Sequence, residues 1–249
     1  MNVATATTLG PLYVYGITPA ESRPPRTRGV GDAPVRLLAE SGLCAAVSPA
    51  PEQIRARRRD LLAHQNVLGD LLAQGAVLPM RFAVLSPDEN TLLSQLRADG
   101  PRLAAQLESV RGCVEMNVKG TLVPDCLTDV VRRDEKLRVL AQRTRRRPDY
   151  EANVRLGEAV AKAVRREARR AAHEVLAGLT PLAVRVAEGP VDDERVLSAS
   201  FLLRAGDEEP FRQTLAAHAR GLGDRLALSV TGPLPCYSFV DTRPATAGR

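Results

Sequence analysis

Residues 149–204 read DYEANVRLGEAVAKAVRREARRAAHEVLAGLTPLAVRVAEGPVDDERVLSASFLLR, and this stretch decides the fold. Over 149–177, Val154, Gly157, Ala161, Val164, Ala168, Ala171 and Val175 recur at spacings of three and four, the period of one buried helix face, and Gly178 ends the pattern. A stripe of such small residues lets the helix lie close against a sheet or another helix. Beyond it, 182–187 and 195–204 predict two strands joined through Glu188-Gly189-Pro190. A strand over 113–120 precedes the helix, and a helix near 208–220 and a strand over 225–230 follow. The resulting order β-α-β-β-α-β is that of the ferredoxin-like fold, four strands with two helices on one face.

The N-terminal half follows a related α/β pattern. Leu12-Tyr13-Val14-Tyr15-Gly16-Ile17 predicts a strand, and the Pro- and Gly-rich stretch 18–34 a loop. Residues 35–39 and 43–47 predict a hairpin. A helix is expected over 52–74, with Ile54, Leu61, Leu68, Leu71 and Leu72 on its buried face. The short apolar run 76–84, interrupted by Pro79, reads as an edge or bulged strand. A second helix opens at Ser86-Pro87-Asp88-Glu89, with Ser86 as its cap, and carries Leu92, Leu93, Leu96, Leu103 and Leu107 as an apolar stripe. The fold class expected is therefore α+β in two domains. An N-terminal α/β sandwich occupies 11–110 and a ferredoxin-like domain 111–240, the latter including a basic connector at 121–148 and an aromatic tail at 231–240.

Composition agrees with this organisation. A chain of 249 residues with 44% hydrophobic and 26% charged residues is long enough for two small cores and has the balance of a soluble globular protein. No apolar run approaches the ~20 residues of a membrane helix, and the opening lacks signal-peptide character, so a cytoplasmic protein is expected. Four cysteines without a C-x-x-C pair read as reduced thiols. The net charge of +6 is concentrated: residues 132–170 hold 14 Lys and Arg against 6 Asp and Glu, a local +8. Arg143, Arg145, Arg146 and Arg147 before Pro148 read as an exposed connector.

Chemistry-bearing patterns are sparse. The three histidines, His64, His173 and His218, fall on three different expected helices without metal-ligand spacing, so no metal and no cofactor is expected. His64 lies on the apolar stripe of its helix and reads as a hydrogen-bonded core imidazole. Neither a complete phosphate-binding glycine loop nor a nucleophile elbow occurs, which leaves the case for an enzyme weak. A basic ferredoxin-like protein that binds nucleic acid is the alternative reading. Against it, no aromatic residue lies between Arg132 and Arg147, and the RNA-recognition strand motif is missing. Most of the aromatics gather instead at Tyr13 and Tyr15, at Phe82, and at Tyr237 and Phe239 in a proline-stiffened tail expected to dock back on the body.

Five segments together resemble the gas vesicle protein F/L family. They are Tyr13-Val14-Tyr15-Gly16-Ile17, His64-Gln65, Leu78-Pro79-Met80-Arg81-Phe82, the strand over 112–120, and the terminal G-P-x-P-x-Y-S-F over 232–239. Ala83 departs from the family where Gly is frequent, as do Leu234 and Cys236 where Trp and Pro are frequent. The resemblance implies a non-enzymatic accessory protein of gas vesicle formation. Its implied partners are the hydrophobic gas vesicle shell protein and other accessory vesicle proteins, without a membrane. On this reading Leu78, Met80, Arg81, Phe82, Tyr237 and Phe239 are the candidate partner-binding residues, and open sheets or an apolar groove would shield a shell subunit before assembly.

Overall fold

The computed structural model describes residues 10–123, 131–146, 149–222 and 225–241. The chain divides into two units, 1–115 together with 233–249, and 116–232.

In the first unit the strands are β1 (Leu12–Pro19), β2 (Arg36–Glu40), β3 (Leu43–Pro49), β4 (Leu78–Pro79) and β5 (Leu85–Ser86). Its helices are α1 (Arg58–Leu72) and α2 (Glu89–Ser109). The sheet order is β2-β3-β1-β4, with β5 also pairing with β1. The hairpin β2-β3 closes through Ser41 and Gly42, both at positive φ (51° and 78°), as a two-residue primed turn requires. The β1–β3 register shifts between Val14 and Gly16. Tyr13 and Tyr15, two residues apart, share one face with Val67, Leu68 and Leu71 of α1. Val14 and Ile17 line, with Leu92, Leu96 and Leu103 of α2, a small cavity on the other face. The sheet is thus covered on both sides, and Gly16 is needed because a Cβ there would lie 2.8 Å from the Leu78 carbonyl oxygen.

In the second unit the strands are β6 (Cys113–Leu122), β7 (Arg185–Glu188), β8 (Arg195–Arg204) and β9 (Leu226–Leu234), in the order β7-β8-β6-β9. β6 begins in the first unit and continues into the second. The helices are α3 (Glu135–Arg146), α4 (Tyr150–Leu179) and α5 (Glu208–Leu222). With β6 as first strand of a βαββαβ unit, this sheet order is the expected ferredoxin-like one. Phe201 of β8 and Phe211 of α5 are fully buried, with ring centroids 5.0 Å apart.

Several boundaries differ from those read in the sequence. The stretch expected as a basic connector over 121–148 contains helix α3, while Cys126, Arg147 and Pro148 lie outside the described residues. Asp134 starts α3 by accepting the N–H groups of Lys136 and Leu137, and Leu137 packs on Ala163 and Val164 of α4. One apolar edge of two turns, among so many arginines, is too weak a periodicity to read alone. Helix α1 begins at Arg58 instead of 52, and Leu61 is exposed, its place on the buried face taken by His64 and Val67. The expected strand 76–84 is two short pairings with β1, because Pro79 has no N–H to donate and Ala83 turns the chain at φ 69°. The cap of α2 is Asp88, whose Oδ1 accepts the Thr91 N–H at 2.7 Å; the Ser86 hydroxyl instead donates to the Asp88 carbonyl. The unit boundary falls after Glu115 instead of at 110, and residues from Pro233 onward belong with the first unit instead of the C-terminal one. The tail changes unit because Ser238 and Asp241 are tied to Glu115 and Gln106.

Phe211→Ala is expected to lower the unfolding free energy by about 3–5 kcal/mol, the cost of an aromatic-sized cavity. Urea unfolding followed by far-ultraviolet circular dichroism checks it, and a loss below about 1 kcal/mol contradicts the packing described.

Candidate partner-binding site

Helix α1 carries His64 on the same face as Val67, Leu68 and Leu71, which directs the ring into the aromatic residues of β1. His64 is 3% exposed. Its Nε2 lies 3.1 Å from the Met80 carbonyl oxygen, which only accepts, so this nitrogen carries the proton and donates. Nδ1 then accepts the Tyr13 hydroxyl at 3.0 Å, and that hydroxyl in turn accepts the Ala83 N–H at 3.0 Å. The Tyr237 hydroxyl lies 3.5 Å from Nε2, a longer contact. The Tyr15 ring stacks on the imidazole at 28°, and Phe82 meets it edge-on. Burial lowers the pKa of His64, opposed by the hydrogen bond to Met80. Burial also pushes Tyr13 up to about 12. With both ring nitrogens engaged and the ring held neutral, His64 orders the 80–83 segment and has no free lone pair for proton transfer.

The C-terminal tail covers the same unit. Cys236 is buried, and its thiol donates to the Cys113 carbonyl at 3.6 Å. Burial, with smaller effects of Glu115 and Cys113, pushes that thiol up to about 12, so it stays protonated and unreactive. Glu115 is 1% exposed, and its two carboxylate oxygens accept the Ser238 N–H and hydroxyl at 2.8 Å each. A buried carboxylate is costly unless it is hydrogen-bonded in this way. Farther on, the Asp241 carbonyl accepts from Arg102 at 2.6 Å, and its N–H donates to Gln106 at 2.8 Å. Burial pushes Tyr237 up to about 12, with Glu115 adding to the shift.

The candidate residues therefore divide. Leu78, Met80 and Phe239 are buried and support the fold. Phe82 and Tyr237 are half-buried against the cluster that contains Tyr13 and Tyr15. Arg81 is exposed between Met80 and Phe82. Sequence reading placed Tyr13, Tyr15 and His64 as structural groups but missed Glu115. Its only signal was a single acid within the apolar strand Cys113-Val114-Glu115-Met116. Beneath α2 lies a cavity of about 130 Å³ lined mainly by apolar side chains, with Asp99 and Arg102 among them. That volume is below the range of small-molecule pockets. Among the described residues no three His, Cys, Asp or Glu side chains are grouped as metal ligands, and no helix is long and apolar enough to cross a membrane.

The sequence profile described as Gas vesicle synthesis protein GvpL/GvpF matches residues 11–241. Over 236 residues the chain is 37% identical to Gas vesicle protein F of Streptomyces sp. (strain CB03234), with 92% of this chain and 99% of that one covered. It is 25% identical over 241 residues to Gas vesicle protein F of Dolichospermum flosaquae, covering 92% and 97%. In fold it is similar to the crystal structure of GvpF from Anabaena sp. PCC7120, with TM-score 0.80, 22% identity, and 94% and 99% of the two chains covered. The GvpF crystal structure from Microcystis aeruginosa aligns with TM-score 0.75 at 23% identity, covering 93% and 99%.

Two measurements check the buried polar network. Tyr13→Phe removes both the donor to His64 and the acceptor for Ala83, and a loss of about 1–3 kcal/mol is expected in chemical unfolding. The lowered pKa of His64 means that the unfolded chain takes up a proton below the ordinary value of 6.5 while the folded one resists. Stability from this group is therefore full above 6.5 and declines as the pH falls toward the folded pKa. The slope of stability against pH below 6.5 should be shallower in His64→Gln than in the wild type. Equal slopes would mean that the ring is not neutral in the folded chain.

Proposed function

Because the chain belongs to the GvpL/GvpF family of gas vesicle synthesis proteins, we propose that it is a cytoplasmic accessory factor that binds the gas vesicle shell protein and delays its premature aggregation. The match over residues 11–241 carries this reading, because it takes in both units. The function requires no covalent step. A subunit destined for a β-rich assembly exposes apolar surface and strand edges beforehand, and a folded partner that occupies them slows self-association. The engaged nitrogens of His64 and the protonated thiol of Cys236 accord with a binding protein that makes and breaks no bonds.

Within the first unit the docking surface is bordered by Arg81, Phe82 and Tyr237. Leu78, Met80 and Phe239 are buried, and Phe82 and Tyr237 pack on the cluster that contains Tyr13 and Tyr15. Arg81 has no ion pair or hydrogen bond among the described residues, so its guanidinium is available to a partner, and the half-buried rings beside it supply apolar area. Other accessory vesicle proteins are further partners in this reading.

Co-expression of the full chain with the shell protein tests the proposal: the shell protein should stay soluble and co-purify. Arg81→Glu, shown to fold by circular dichroism, should reduce capture about tenfold, equivalent to about 1.4 kcal/mol. Capture that is equal for both proteins removes the 78–82 segment from the docking surface.

A further inference from the structure

Among the described residues the two sheets present four outer edges, and three of them are blunted. β2 is five residues long, with Arg36 and Glu40 at its ends, and both charges are paired to α2 through Glu89 and Arg97. The edge formed by β4 and β5 consists of two two-residue pairings separated by a turn, and it contains Pro79. β7 is four residues long, with Arg185 and Glu188 at its ends and Pro190 soon after. Short length, charge and proline are the usual means of keeping an edge from recruiting a foreign strand.

β9 has none of these over most of its length. It is the outermost strand on its side of the second sheet and runs for nine residues, LALSVTGPL, without a charged side chain and without proline before Pro233. Ala227, Ser229, Val230 and Thr231 are exposed. The contrast lies within one molecule, so general composition does not account for it. An outermost strand leaves every second residue's N–H and C=O unpaired by the sheet, a row that another extended chain satisfies.

Charge narrows the choice of occupant. The Arg225 side chain is anchored on the Leu222 and Gly221 carbonyls just before β9. Arg212 donates to the Gly232 carbonyl near its other end. Neither guanidinium has a carboxylate partner among the described residues. An antiparallel pairing of two copies that used all of 225–232 would set Arg225 of each opposite Gly232 of the other, bringing like charges together. An uncharged strand flanked by carboxylates meets no such penalty. We infer that the outer edge of β9 is a strand-docking site for an extended, uncharged segment of another protein with acidic residues at its flanks, held by main-chain hydrogen bonds and by Arg212 and Arg225. On the reading of the preceding subsection, on which this partner's identity rests, that segment belongs to the shell subunit.

The full chain co-purified with the shell protein is compared with the chain alone by amide hydrogen exchange. Exchange across 226–232 should slow about tenfold or more in the complex, while β7 is unaffected. Val230→Lys, which adds a charge of the kind the other edges use, should cut capture about fivefold or more, whereas Val191→Lys, at an exposed position outside the strands, should not. If the shell protein co-purifies but exchange over 226–232 is unchanged, the β9 site is overturned and the accessory role stands. If the wild-type chain captures no shell protein, both fall. Protection of 226–232 that depends on the concentration of the chain alone would identify a second copy as the occupant and also overturn the proposal. Should Val230→Lys fail to fold, the exchange comparison on the wild type still decides.

Discussion

The first unit depends on one requirement: each polar atom that its aromatic core takes out of water must find a partner there. Tyr13 and Tyr15 stand side by side on β1, fully buried, and each brings a hydroxyl with it. The first is satisfied by His64 and the Ala83 N–H, the second by Ser48 and the Val30 N–H. Through these bonds two segments that belong to no strand of the sheet, 29–35 with its single 3-10 turn at Val30–Asp32 and 80–84, are fixed to β1. The same requirement explains the tail, since Glu115 at the start of β6 is tolerated in a buried position only because Ser238 supplies two donors. The core thus specifies the positions of its loops, and the loops carry the surface proposed to meet a partner.

The second unit obeys a different economy. Its sheet and helices α4 and α5 meet through small and aliphatic side chains, with the Phe201–Phe211 contact as the aromatic exception. The arginines of α3 and α4 lie mostly on exposed surface, where pairs such as Arg155–Glu151 and Arg170–Glu174 contribute little to stability. Their number therefore sets the charge of the surface and leaves the fold to the apolar stripe. At β9 an uncharged edge is bracketed by Arg212 of α5 and by Arg225, which pair with no carboxylate of the described residues.

Much of this was legible in the sequence. The β-α-β-β-α-β order followed from spacings of three and four in α4 and from β-branched runs around Gly and Pro. Likewise the strand-like runs on either side of Glu40-Ser41-Gly42 announced a hairpin, and Tyr13, Tyr15 and His64 declared themselves as anchors by lying on apolar faces. The misreadings share a cause. Helix α3 has a single narrow apolar edge, and run 76–84 has a strand's composition but pairs only where Pro79 and Ala83 allow it. Leu61 fits the helical period, yet it lies in the first turn of α1 and is exposed, while His64 and Val67 farther along the helix are buried.

Residue order alone determined most of the helices and strands and the α+β class, because these follow from local propensity and period, while the family was carried by five short motifs in a fixed order. Tertiary structure decided the unit to which the tail belongs, the burial of Leu78, Met80 and Phe239, the partner of Glu115, and which strands end each sheet. Those outcomes rest on hydrogen bonds and packing between residues from 16 to 173 positions apart, as in the His64 contacts with Met80 and Tyr237, and nothing local in the chain records which distant group will arrive.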